Sequence, residues 1–205
     1  MRGFRALVPT EVWYELLETA RRRDFKANEP LLREGARGSF LLALQEGRVA
    51  VLKSERLVAL RGPGELVGEM AALDGSPRSA AVVALEPCVA YEIAADPFQR
   101  LLARHHAGNA LSTYLAGKVR QSAGLATTRA EPPLWRTADL IVRVVDLAGP
   151  DHDVVPMSQS WIAGAFGLSR NAIGKAVHEL YERGFLSDTN PIRVADLEGL
   201  RHLVT

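Results

Sequence analysis

Gly64-Glu65-Leu66-Val67-Gly68-Glu69-Met70-Ala71-Ala72-Leu73, followed after a short polar loop by Pro77-Arg78-Ser79-Ala80, is the most informative stretch of this 205-residue chain. A short helix beginning near Gly68 directs unpaired backbone N–H groups at an anion. Arg78 adds a bidentate positive charge and Glu69 can accept a hydrogen bond from a ribose hydroxyl, so the residue types suit a buried cyclic phosphate. Each element alone is generic, since a Gly-Glu pair is usually a turn and an arginine after a proline usually lies on the surface. Their order and spacing carry the weight.

Upstream, short segments rich in Leu and Val at Pro30 to Arg33, Ser39 to Leu44, Arg48 to Lys53 and Leu57 to Leu60 read as strands. Turn signals separate them at Ala27-Asn28, Gly35 to Gly38, Glu46-Gly47, Ser54 to Arg56 and Gly62-Pro63-Gly64, the spacing of a small antiparallel barrel or sandwich. Ala80 to Ala84 and Cys88 to Ile93 are expected to close it. Ahead of these strands, Pro9 to Arg23 predicts a packing helix with Thr10 as cap and Val12, Trp13, Leu16, Leu17 and Ala20 as its apolar stripe.

Downstream, Asp96-Pro97 opens a helical pattern that runs to about Ala123. Leu101, Leu102, Leu111, Leu115 and Val119 give it an apolar face, and the spacing of Leu111, Leu115, Val119 and Ser122 suits a parallel pair of helices. Gly108 and Gly117 weaken the helix, and packing wholly on its own barrel is the alternative. Thr127 to Pro133 reads as a hinge, followed by an apolar helix from Leu134 to Ala148 that Gly149-Pro150 stops.

A second motif lies beyond it. Ser158 is placed to cap a helix ending at Gly167, and Ser169 to cap another through Tyr181. Ile173, Val177 and Leu180 face inward, while Arg170, Asn171, Gly174, Lys175 and His178 face outward, the pattern of a helix-turn-helix. Ala163, Gly167 and Ile173 allow the two helices to cross closely. Gly184 ends the second helix, and Phe185-Leu186 with Ile192-Arg193-Val194 read as two short strands of a wing. From Asp151 to Thr205 five Lys and Arg stand against seven Asp and Glu, a net of −2 that weakens phosphate attraction, so DNA binding would draw on dimerisation and on local charge at Arg170, Lys175 and Arg183. A winged domain used for protein contacts is the alternative.

The composition narrows the function classes. Hydrophobic residues make up 47% of the chain, enough for two modest cores, and the net charge of +1 points to no particular partner. A lone cysteine, Cys88, excludes an internal disulfide and a thiolate cluster. No run reaches the roughly 18 apolar residues of a membrane span, so no membrane partner and a cytoplasmic location are expected. His105, His106, His152, His178 and His202 all fall outside the predicted strands, which argues against a metalloenzyme built on the barrel and leads us to expect no metal. A haem sensor would need axial ligands such as Cys88 or His105, for which the sequence offers no positional support.

Taken together, the phosphate-binding stretch, the strands from Phe25 to Lys53, the long helix and the Ser169 to Lys175 text resemble the cyclic-AMP receptor protein and fumarate-nitrate regulator superfamily over nearly the whole chain. The resemblance implies an α+β architecture: a cyclic-nucleotide-binding antiparallel β-barrel (jelly roll) over residues 1–96, a dimerisation helix over 97–126, a hinge over 127–133 and a winged helix-turn-helix over 134–205. It implies a homodimeric transcription regulator, not an enzyme, acting on double-stranded DNA at a palindromic operator, with RNA polymerase as a further partner. The effector it implies is a cyclic nucleotide, cyclic AMP ahead of cyclic GMP. Glu69 would hold the ribose and Arg78 the phosphate, with Gly68, Ser79 and Ala80 lining the pocket. Relatives that respond to cyclic AMP place adjacent hydroxyl residues against adenine, whereas this chain reads Gln121-Ser122-Ala123-Gly124 and offers Ser122 alone. A constitutive or otherwise regulated DNA binder therefore stays open. On the DNA side, the resemblance assigns Ser169 to phosphate and Arg170, Asn171 and Lys175 to base edges, with His178 on the same face. Asn171 stands where an acidic residue is common.

Overall fold

The computed structural model describes residues 3–127, 130–149 and 152–205. Of the expected hinge, Thr128 and Arg129 lie outside the described residues, as does Pro150 of the helix stop. Two four-stranded antiparallel sheets form the N-terminal part, in the orders β1-β8-β3-β6 and β2-β7-β4-β5. Their strands are β1 (Arg21–Phe25), β2 (Pro30–Leu32), β3 (Phe40–Glu46), β4 (Val49–Lys53), β5 (Arg56–Arg61), β6 (Leu66–Val67), β7 (Ala81–Ala84) and β8 (Cys88–Ala94). This is the jelly-roll arrangement expected from the sequence, with two facing sheets in place of a fully closed barrel.

Alternation along β3 explains the layering. Leu42 and Leu44 join Phe25, Leu32, Val49, Val82 and Ala90 in a core between the sheets, while Leu41 and Ala43 point the other way, into a second core. That core is covered by α1 (Thr10–Glu18), α2 (Glu69–Asp74), α3 (Ala95–Arg104) and α4 (Gly108–Thr127). Trp13, Phe98 and Tyr114 fill it, with Phe4 stacked edge-on against Phe98 and Tyr114. Each such large side chain contributes about 1.5–3 kcal/mol by leaving water.

Three local expectations are corrected. The helix predicted from Pro9 to Arg23 ends at Glu18, and Arg21–Phe25 pairs as a strand with β8. Arg23 forms an ion pair with Glu92 across that ladder, a long-range partner invisible to helical periodicity. Thr10 is the first helical residue, and Pro9 occupies the cap position without a side-chain bond. The long helix predicted from Pro97 is two helices, broken where His106 takes a φ of +53° between α3 and α4.

The C-terminal part comprises α5 (Pro133–Ala148), α6 (Gln159–Phe166), α7 (Arg170–Glu182), a wing of β9 (Leu186–Thr189) and β10 (Ile192–Val194), and α8 (Leu197–Leu203), the last not foreseen. Its core of Ile141, Ile162, Ile173, Val177 and Leu180 is continuous with Ala50, Leu57, Leu60 and Leu85 of the barrel. Arg48 spans that seam. Its guanidinium is 2% exposed, forms an ion pair through Nε with Glu86 at 2.7 Å, and donates to the carbonyls of Val144 at 3.0 Å and Val154 at 3.3 Å. Among the described residues, no helix is long and apolar enough to cross a membrane.

Removing one partner of a buried, hydrogen-bonded pair leaves the remaining groups without donors. Arg48→Ala is therefore expected to lower the free energy of unfolding by about 3 kcal/mol, the low end of that class because Glu86 keeps contact with water. Urea denaturation, followed by the fluorescence of tryptophans in both parts of the chain, measures it.

Candidate functional site

The glycine at position 68 carries a φ of +78° and hands the chain from β6 into α2. That turn swings Glu69 inward, where it is 2% exposed, and exposes Met70. Behind it Arg78 is buried to 4% exposure. Its Nη2 donates to the Phe40 carbonyl at 2.6 Å, its Nη1 to the Gly68 carbonyl, and its guanidinium lies over the Phe40 ring at 4.9 Å. Among the described residues, Arg78 has no carboxylate within ion-pair distance. Burial lowers its pKa, and the charge of Glu69 partly opposes that shift.

A cavity of about 470 Å³ opens in front of these groups. All six residues expected to bind nucleotide line it: Gly68, Glu69, Arg78, Ser79, Ala80 and Ser122. Its far wall is apolar, built from Val51, Val58 and Ala59 of the β4–β5 hairpin and Leu115 and Val119 of α4. Such a cavity, largely apolar with a few converging polar groups, is the usual form of a small-molecule site. Cys88 and His105 do not line it: burial pushes the Cys88 thiol up to about 11, and His105 pairs with Glu15 at 2.6 Å.

Among the lining residues that the sequence did not single out for the site, Lys118 is the one bonded to a predicted site side chain. Lys118 of α4 donates to Glu69 Oε1 at 2.8 Å and to the Leu66 carbonyl at 2.9 Å. Burial lowers its pKa, with Glu69 acting in the opposite sense. The signal available was its position one helical turn before Ser122, on the same face. Two neighbours fasten the same helix. Tyr114 Oη accepts from the Leu66 N–H at 2.8 Å and donates to the Leu66 carbonyl at 2.9 Å, and Gln121 Oε1 accepts from Arg61 at 2.9 Å. Burial raises the Tyr114 pKa well above its ordinary value, which keeps the phenol neutral. Tyr114, Lys118 and Gln121 recur at the helical repeat, so α4 is held to the barrel along one stripe while Val119 stays 69% exposed.

The second cluster is the α6–α7 pair. Ser158 Oγ accepts from the Trp161 N–H and Ser169 Oγ from the Ala172 N–H, each at 3.1 Å, so both expected caps form. Gly167 joins the helices at a φ of +67°, and Ala163 and Ile173 are buried at the crossing. Ser169, Arg170, Asn171, Lys175 and His178 all lie on the exposed surface of α7 and its cap. Arg183, expected to add free positive charge, is instead paired with Glu179 one turn earlier.

Comparison with known proteins converges on both clusters. Residues 22–105 match the cyclic nucleotide-binding domain family, and residues 136–203 match the Crp-like helix-turn-helix domain family. The cyclic AMP receptor protein of Thermus thermophilus is 29% identical over 189 residues, covering 88% of this chain and 86% of that protein. FixK2 of Bradyrhizobium japonicum superposes with a TM-score of 0.75 at 17% identity, covering 91% of this chain and 98% of that one. The c-di-GMP responsive global regulator CLP of Xanthomonas campestris superposes with a TM-score of 0.71 at 19% identity and the same 91% and 98% coverage. At those identities the two superpositions speak for the fold. With both domain families in this order along one chain and a relative that aligns over 88% of it, the chain belongs to the Crp/Fnr family of DNA-binding transcription regulators, which are not enzymes.

Proposed function

We propose that the chain is a dimeric, sequence-specific regulator whose hold on DNA is controlled by a cyclic nucleotide bound in the barrel cavity. The observation that carries this reading is Arg78, a buried guanidinium that among the described residues meets only carbonyl acceptors, at the edge of a cavity of nucleotide size. A buried charge without an opposite partner is costly, and a cyclic phosphate supplies that partner. Glu69 then takes the ribose hydroxyl beside Lys118, Gly68, Ser79 and Ala80 surround the phosphate, and Ser122 offers its hydroxyl to the base. Cyclic AMP is preferred over cyclic GMP, in keeping with the name of the Thermus relative.

Dimerisation through α4 fits the same geometry. Val119, 69% exposed, and Met70, 54% exposed, both line the cavity, so a second α4 packed against the first would cover them and shut the ligand in. The hinge over 127–133 would then let the dimer interface set the separation of two α7 helices, which match half-sites about one DNA turn apart in a palindrome. A ligand controls this only through unequal affinity for the two arrangements. Ser169 meets phosphate, Arg170 and Lys175 favour guanine, and Asn171 favours adenine, with His178 further along the same face. Such a regulator works in the cytoplasm, beside RNA polymerase.

A constitutive, ligand-free regulator is the second reading. It is favoured by the Lys118 contact that already satisfies Glu69, and by the single hydroxyl on the base side.

Calorimetric titration separates the two. Cyclic AMP is expected to bind the wild type saturably, and Arg78→Ala to weaken it by about 3 kcal/mol, on the order of a hundredfold in Kd. No binding to the folded wild type would favour the constitutive reading. For the DNA surface, Arg170→Ala is expected to cost about 1–3 kcal/mol and to relax selectivity at one base pair of each half-site. Fluorescence anisotropy with a duplex selected by the wild type from a random pool, and with its single-base variants, checks both effects.

A further inference from the structure

The DNA-binding surface, as proposed above and on which this inference rests, is short of positive charge. In the C-terminal part, Arg183, Arg193 and Arg201 are each paired with acidic residues, namely Glu179, Asp153, and Asp146 with Glu198. Arg170 and Lys175 are the cations from Asp151 to Thr205 without an acidic partner among the described residues, in a segment whose net charge is −2. Two cations give limited attraction to phosphate, because each neutralised phosphate adds to affinity through released counterions.

The barrel brings another cation to this surface. Ser54 and Glu55 both take positive φ, 48° and 65°, which gives the two-residue tip that matches the twist of the β4–β5 hairpin. Lys53 and Arg56 then face each other directly across the ladder. Like charges so placed repel, and neither has an acidic partner within ion-pair distance among the described residues, Glu55 at the tip included. Arg56 reaches the helix-turn-helix: its Nη1 donates to the Gly164 carbonyl at 3.3 Å, and a Cβ added to Gly167 would lie 1.6 Å from that atom. Gly167 is the turn itself, two residues before the Ser169 cap of α7. One carbonyl uses one of the five N–H donors of an arginine, so an exposed charge remains beside the start of the reading helix.

We propose that Arg56 is a DNA phosphate contact, so that the barrel itself forms part of the nucleic-acid interface through the tip of its β4–β5 hairpin. Val51, Val58 and Ala59 of the same hairpin line the nucleotide cavity. The number of phosphates held by the protein therefore depends on the position of a segment that also touches the ligand.

The test is the salt dependence of DNA binding by the full chain, read by anisotropy on the duplex that the wild type selects from a random pool. Each phosphate contact contributes about 0.9 to the slope of log K against log salt, so Arg56→Gln in a dimer is expected to reduce the slope by about 1.8. Glutamine keeps a donor for Gly164, and Arg56→Lys, which keeps the charge, should retain most of the slope. An unchanged slope in Arg56→Gln, with or without weaker binding, overturns the proposal and leaves Arg56 as a brace for the turn. So does a slope lost equally in Arg56→Lys. A wild type that binds no duplex at all would instead remove the DNA-binding reading on which the inference stands.

Discussion

The guanidinium of Arg78, buried with carbonyls for company, constrains everything around it. A Cβ at Gly38 would sit 2.1 Å from its Cζ and one at Gly68 would sit 2.5 Å from its Nη1, so a side chain at either position would displace the guanidinium from its carbonyls. Gly68 answers a second demand at the same time, since its left-handed backbone starts α2 and turns Glu69 into the cavity. Carbonyl acceptors hold the arginine in place without cancelling its charge. The site thereby keeps an unspent attraction for an anion, at the expense of the desolvation that lowers the Arg78 pKa.

That site is mechanically close to the DNA-reading domain. Adjacent pairs in the β4–β5 ladder point to opposite sides: Val51 and Ala59 face the cavity, while Ala50 and Leu60 enter the apolar core shared with α5 and α6. Alternation at these pairs makes the hairpin a partition between the cavity and the DNA-binding domain, with a register shift after Val51 that lets Val58 join Ala59 in the cavity wall. Arg48 fastens the far side through Val144 and Val154, and Tyr114, Lys118 and Gln121 fasten α4 on the other. Occupancy of the cavity can thus act on two rigid elements at once, the hairpin and the helix that proposed dimerisation would use.

Some features were hidden from the sequence for identifiable reasons. Arg21–Phe25 follows a helix without a break in polarity, and what makes it a strand is its ladder with β8, some seventy residues away in the chain. The break between α3 and α4 depends on His106, a residue type that enters the left-handed region more readily than most. Lys118 reads as an ordinary surface lysine of an amphipathic helix, and only its approach to Glu69 changes its meaning. Arg56 likewise reads as a turn residue until the hairpin lies against Gly164.

The linear text was decisive wherever the chemistry is local. Serine caps at Ser158 and Ser169, the left-handed turn at Gly167 and the alternating strands depend on neighbours within a few residues, so local spacing determined them, whereas the Gly-Glu…Arg-Ser-Ala stretch took its meaning from resemblance to a family. Tertiary structure decided which charges are free and which are spent. Arg183 is neutralised by Glu179, Glu69 is engaged by Lys118 from a different element, and Arg78 is left with carbonyls. Electrostatic partnership depends on distance in space and on burial, and neither is written in the order of residues when the partners belong to elements that meet only after folding.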